Sequence, residues 1–141
     1  MDKLLEFAAH HWILVSALIA VIVLLISSSL KDVLAGTGSV SPLEATQLIN
    51  HNNAVILDVR EDKEFAEGHI VNAIHIPLAS LNERLKELEK YKAKHLIINC
   101  RSGHRSSGAC STLKKAGFEN VYNLKGGVLA WQSANLPLTK N

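Results

Sequence analysis

From Trp12 to Leu30 the chain carries no charged residue. As a helix these 19 residues would span roughly 28 Å, about one hydrocarbon thickness. No polar face interrupts the run, which argues against an amphipathic surface helix. A buried core helix would need a surrounding domain larger than a chain of 141 residues supplies. A cleaved signal peptide is the other alternative, with Val33-Leu34-Ala35 as its candidate cleavage site. Against it stand Asp2 and Glu6 beside a lone Lys3, and the length of the apolar stretch. The expectation is therefore a single-pass transmembrane helix over 12–30, after a short tail at 1–11. Trp12 suits an interfacial belt, and the serines at 27–29 can bond back to carbonyls one turn earlier. Lys3 and Lys31 stand on opposite sides, so local charge does not set the orientation. A short tail of near-zero charge is easily translocated, and most Lys/Arg lie after the run. The tail is therefore expected outside, with the rest on the cytoplasmic side of the inner (cytoplasmic) membrane.

The apolar excess of the composition belongs mostly to this run. From Gly36 onward there are 13 Lys/Arg against 10 Asp/Glu, a mild net of +3. With no basic block and no aromatic-interleaved patch, nucleic acid is not an expected partner. The two cysteines, ten residues apart, do not form a disulfide framework and fit a reducing compartment.

Residues 31–40 read as a linker, small and glycine-containing at its end. Ser41-Pro42-Leu43-Glu44 is a capping box with Pro in the first turn, opening a helix to about His51. Ala54 to Val59 is a near-continuous apolar strand of the kind buried on both faces of a parallel sheet. Glu61 to Glu67 is a short charged helix closed by Gly68, and Ala73 to Ile76 a second strand. Ser80-Leu81-Asn82-Glu83 predicts another capping box, with a helix to about Tyr91. A third strand, His95 to Asn99, precedes a helix that ends at Ala116-Gly117. Val121 to Leu124 is a last strand, and Gly126-Gly127 turns it into a helix from Val128 to Ser133. Strands alternating with helices predict an α/β domain with a mostly parallel sheet over 41–138.

Between the third strand and its helix lies Cys100-Arg101-Ser102-Gly103-His104-Arg105, with no acid among the loop residues. A thiol at a helix N-terminus, beside cations and free backbone N–H groups, is favoured as the thiolate, which is the nucleophilic form. Gly103 permits tight curvature, and Arg101, His104 and Arg105 would attract an anion. Arg105 has an alternative use, fixing the loop to a nearby carboxylate. Cys110 falls among Ala109 and Leu113 and reads as a packed thiol. Trp131 reads as core. His10, His11, His51, His75 and His95 show no metal-ligand spacing, and no cofactor is called for.

Three separated stretches resemble those of single-domain rhodaneses (sulfurtransferases). They are Asp58-Val59-Arg60 with Glu64-Phe65 and Gly68-His69-Ile70, then the Cys100 loop, then Gly126-Gly127-Val128 with Ala130-Trp131 and Leu136-Pro137. The resemblance runs from about Val40 to Pro137, so the apolar segment lies outside it and the whole looks like a membrane-anchored member. It implies an α/β fold with a central parallel five-stranded sheet flanked by helices, preceded here by the N-terminal transmembrane helix. It implies that Cys100 is catalytic and becomes a persulfide, cradled by the substrate-binding residues Arg101, Ser102, Gly103, His104 and Arg105. Asp58 and Arg60 would support the fold as an ion pair, and His69 would be a hydrogen-bonded structural residue.

The implied reaction moves sulfane sulfur from a small anionic donor, thiosulfate or a persulfide, to a thiol or protein acceptor. Two other functions fit parts of the sequence. A related cysteine-loop phosphatase or arsenate reductase would cradle an oxyanion, but four residues separate Cys100 from Arg105 and those enzymes have one more. A membrane module that recruits a membrane-protein partner through the same surface is the third.

Overall fold

Residues 1–34 and 38–140 are described by the structure, a computed structural model; for 28–34 the description is of the helical backbone alone. Residues 35–37, within the expected linker, and the side chains of the alternative cleavage site lie outside it. The chain divides into two units, 1–36 and 37–141.

In the first unit the expected tail is itself helical: α1 spans Asp2–His10, and α2 spans Trp12–Leu34, four residues beyond the predicted end. Trp12, Leu14, Leu18 and Leu24 are exposed. Among the described residues no single helix is long and apolar enough to cross a membrane. Only α1 taken with Trp12–Ser27, across a 93° bend, reaches that length and composition.

The second unit is built on a five-stranded sheet in the order β1-β6-β5-β2-β4, every pairing parallel. The strands are β1 (Gly38–Val40), β2 (Val55–Asp58), β4 (Ile74–His75), β5 (Leu96–Asn99) and β6 (Val121–Leu124). Helix α3 (Pro42–Asn52) starts where Ser41 Oγ accepts from the Glu44 N–H at 3.2 Å and Glu44 Oε2 accepts from the Ser41 N–H at 2.7 Å. Helix α4 (Asp62–Glu67) follows β2. Helix α5 (His104–Lys115) follows β5, and α6 (Gly127–Ser133) follows β6. A small antiparallel pair, β3 (His69–Ile70) with β7 (Leu138–Thr139), closes the domain.

Two apolar clusters cover the two faces. Leu57, Ile98, Leu81, Leu88, Ala109 and Leu113 form one; Ile56, Ile97, Ala45, Leu124 and Trp131 form the other. Strand β5 lies at the centre with all four residues buried, so its C-terminal end is fixed from both sides. That end delivers residue 100.

Two sequence expectations need correction. The helix expected from the Ser80 capping box is instead a pair of 3-10 turns, Leu78–Ser80 and Leu85–Tyr91. Leu85, Leu88 and Tyr91 recur every third residue, and a three-residue turn stacks them on one face against the core. The second correction concerns 38–40, expected as linker. It forms edge strand β1, in register with Tyr122 to Leu124. Only Val40 of its three residues is buried, so no apolar run marks it in the sequence.

Candidate active site

The end of β5 opens into a loop whose shape depends on two glycines. Gly103, at φ +97°, caps α5 and turns its N–H back onto Cys100 Sγ at 3.0 Å. Gly127, at φ +58°, sits against the loop from the other side. A Cβ there would overlap the Cys100 carbonyl and the Arg101 carbonyl group. The close approach has a use: the Val128 N–H donates to the Cys100 carbonyl at 2.9 Å, and the Leu129 N–H to that of Arg101 at 3.2 Å. The N-terminal turn of α6 thus binds loop carbonyls and leaves loop N–H groups to face the sulfur.

Cys100 is 1% exposed. Burial alone would push its thiol up, yet hydrogen bonds outweigh it and hold the thiol below its ordinary value. They come from the Ser106 hydroxyl, at 3.2 Å, and from the backbone N–H groups of Ser106, Gly103 and Ser102. Ser106 is fully buried and also hydrogen-bonds Asn123 Oδ1. Asn123 Nδ2 donates to the Gly103 carbonyl at 3.0 Å. Cys110 lies in the same apolar cluster; burial pushes its thiol up to about 12, so it stays protonated.

The cations of the loop divide into two kinds. Arg101 and His104 are exposed, and Arg101 lines an adjoining cleft of about 260 Å³ with Arg60, Glu64 and Gln132. Arg105 faces away from any such role. Its two terminal nitrogens donate to the two Glu64 oxygens, each at 2.8 Å. That hydrogen-bonded guanidinium holds the Glu64 carboxyl down at about 2, against partial burial. Of the two uses expected for Arg105, the carboxylate pairing is the one the geometry displays. Ser102 is exposed at the loop tip, and Gly103 is buried.

Asp58 and Arg60 form a buried ion pair at the C-terminal end of β2. Arg60 Nη2 lies 2.7 Å from Asp58 Oδ2 and 2.8 Å from the Gly68 carbonyl oxygen, and Arg60 Nε contacts both Asp58 oxygens. Asn99 Nδ2 adds a 3.3 Å contact to Asp58 Oδ2. His69 and His75 stack on opposite sides of the series of rings that includes Phe65, at centroid distances of 3.7 and 4.2 Å. The His75 ring bonds the Arg60 carbonyl oxygen at 2.8 Å, and the His69 ring that of Phe65 at 2.9 Å. Both histidines hold the α4 corner in place.

The sequence reading assigned no role to Glu64, Ser106 or Asn123, and to the Gly126-Gly127 pair only the turn into the last helix. Ser106 carried a usable signal, since it lies in the first turn of the helix that Gly103 opens. Asn123 carried none until the register set it beside Ile98.

The family model described as a rhodanese-like domain matches residues 41–134. The uncharacterized protein YibN of Escherichia coli K12 is 36% identical over 141 residues, covering 99% of each chain. The thiosulfate sulfurtransferase GlpE of Coxiella burnetii is 35% identical over 94 residues, covering 67% of this chain and 86% of its own. Among solved structures, a rhodanese-related protein of Thermoplasma volcanium superposes with a TM-score of 0.67 at 31% identity, over 74% of this chain and 99% of that one.

Proposed function

The chain belongs to the rhodanese-like domain family, and from that premise we propose that it is a sulfurtransferase working through a Cys100 persulfide. The observation that carries this reading is the pair of donors on Cys100 Sγ, the Gly103 N–H at 3.0 Å and the Ser106 hydroxyl at 3.2 Å. They favour an attacking thiolate within a loop whose four intervening residues leave less space than a phosphate needs.

In the first half-reaction the Cys100 thiolate attacks the outer sulfur of an anionic donor. A sulfur–sulfur bond forms as the donor's own breaks, and the donor leaves with that electron pair, as sulfite or a thiolate. Arg101 and His104 are the loop's exposed cations and would draw the donor in. The outer persulfide sulfur then carries the negative charge, with loop N–H groups and the start of α5 around it. In the second half-reaction a thiol acceptor, free or on a protein, attacks that sulfur, and Cys100 leaves as the thiolate. Residues 12–30 would anchor the enzyme as a single-pass helix in the inner membrane, with the catalytic domain cytoplasmic and a membrane protein as the candidate partner.

Intact-mass spectrometry tests the central step. Incubation with thiosulfate or a small persulfide should add 32 Da, removable by dithiothreitol and lost in Cys100→Ala. No adduct with any donor of such a panel overturns the assignment.

A further inference from the structure

The sulfur of Cys100 has a hydroxyl beside it that must serve two acceptors with one proton. Ser106 Oγ stands 3.2 Å from Cys100 Sγ and also contacts Asn123 Oδ1 within hydrogen-bond distance. A serine hydroxyl has a single O–H and can donate to only one of them at a time. The Asn123 amide cannot reverse to offer a donor instead. Its Nδ2 is committed to the Gly103 carbonyl at 3.0 Å, and a flip would set two oxygens face to face there. Ser106 is fully buried, and Asn123 joins it to Gly103, the residue whose N–H is the sulfur's other close donor.

We propose that Ser106 is a two-position donor to Cys100, with Asn123 as the positioning residue that holds its proton aside. The hydroxyl points to Asn123 Oδ1 while the inner sulfur is uncharged, and turns onto the sulfur when that atom carries the charge. The relevance to turnover rests on the sulfurtransferase reading; the switch itself does not.

Protons and electrons balance at each stage. In the thiol state the Cys100 S–H faces the Ser106 oxygen, and the Ser106 O–H donates to Asn123. When the thiol proton leaves to solvent, the Ser106 O–H rotates onto the thiolate, and Asn123 Oδ1 loses its donor. In the persulfide the charge sits on the outer sulfur, so the inner sulfur is a weak acceptor and the hydroxyl returns to Asn123. During discharge an acceptor thiolate attacks the outer sulfur and the sulfur–sulfur bond breaks. Its electron pair stays on Cys100 Sγ, and the hydroxyl turns to it as that charge develops. The bond is thus stronger in the transition state than in the resting persulfide, the differential kind of stabilisation that speeds a step. Asn123 sets the size of the effect, because moving the proton leaves its half-buried carbonyl without that donor.

The test uses the full chain in detergent, labelled with 13C at the asparagine side-chain carbonyls, and needs no sulfur donor. The Asn123 resonance is identified by its loss in Asn123→Ala. On raising pH, the Asn123 carbonyl shift should follow the same titration as thiolate absorbance at 240 nm. In Ser106→Ala the Cys100 titration should move upward, alkylation by iodoacetamide at pH 7 should slow about 10-fold, and the Asn123 carbonyl should stop following the thiol. Ser106→Thr should restore all three. An Asn123 carbonyl that ignores Cys100 in the wild-type chain overturns the proposal, and that measurement depends on no variant folding. So does a carbonyl that still follows the thiol in Ser106→Ala. Absence of a persulfide adduct alongside an intact coupled titration would instead refute the sulfurtransferase reading and leave the switch standing.

Discussion

Glu64 and Arg105 meet through two parallel hydrogen bonds of 2.8 Å, joining the first turn of α4 to the first turn of α5. Glu64 Oε2 also accepts from the Glu61 N–H at 3.1 Å, so one carboxylate ties the start of one helix to the rim of the catalytic loop. The pair fixes the start of α5, at the rim of the Cys100 loop, to α4. Arg105 thus acts as a brace, while Arg101 and His104 are the loop's exposed cations.

This pairing has a pH signature. The Glu64 carboxyl is depressed from 4.5 to about 2, so the unfolded chain binds more protons between those values. The resulting stability is fully present above pH 4.5 and is lost as pH falls toward 2. Because Arg105 and Glu64 are 34% and 26% exposed, solvent screening reduces the contribution to about 1 kcal/mol. Glu64→Gln should therefore unfold at lower urea than the wild type at pH 7, with the gap narrowing as the pH is lowered to 3. A gap that stays constant across that range would show that the pair is not its source.

Gly127→Ala should be among the most damaging single-atom additions in the domain. The new methyl meets the Cys100 carbonyl at a backbone conformation L-residues rarely adopt, so either α6 or the loop must move. A loss of about 2–4 kcal/mol in denaturant unfolding is expected, together with slower alkylation of Cys100. Gly108→Ala, where nothing lies within 4 Å of the added methyl, is the matched control and should be neutral or slightly stabilising.

The two cysteines should separate cleanly. Cys100→Ser should abolish sulfur transfer from thiosulfate, whereas Cys110→Ala should keep most of it, since its thiol is held near 12 and packed in the core. Peptide mapping after brief iodoacetamide treatment of the native chain should find the label on Cys100 alone. Equal labelling, or equal loss of transfer in both variants, would give Cys110 a part in the chemistry.

The anchor reading is tested by topology. An alkaline phosphatase fused after Asn141 should be inactive and a green fluorescent protein at the same position fluorescent. The reverse pattern would place the catalytic domain across the membrane.

How much of this was legible in the sequence follows from what each residue does. Strand β5 announced itself because both of its faces are covered, leaving an unbroken apolar run; β1 did not, because one side of an edge strand is open to solvent. The stretch from Ser80 to Tyr91 read as an α-helix because Ser80 and Glu83 have capping-box spacing, a local signal that does not tell an α-helix from the 3-10 turns found there. Cys100 and Gly103 were legible because thiol chemistry and positive φ are properties of single residues. Asn123 and Glu64 were not, since their roles are pairings. Residue 123 matters through residues 103 and 106, and residue 64 through residue 105, and no local pattern reports such distances.

The depth of Cys100 has a consequence for which molecules react with it. At 1% exposure the sulfur shows solvent almost nothing, so the loop works as a sieve. For the sulfur transfer proposed above, a donor would have to end in a bare sulfur narrow enough to reach between backbone amides, and a protein donor would have to offer its own at the tip of an extended arm. In the proposed persulfide the same screen would limit encounters with glutathione-sized reductants to those that approach end-on.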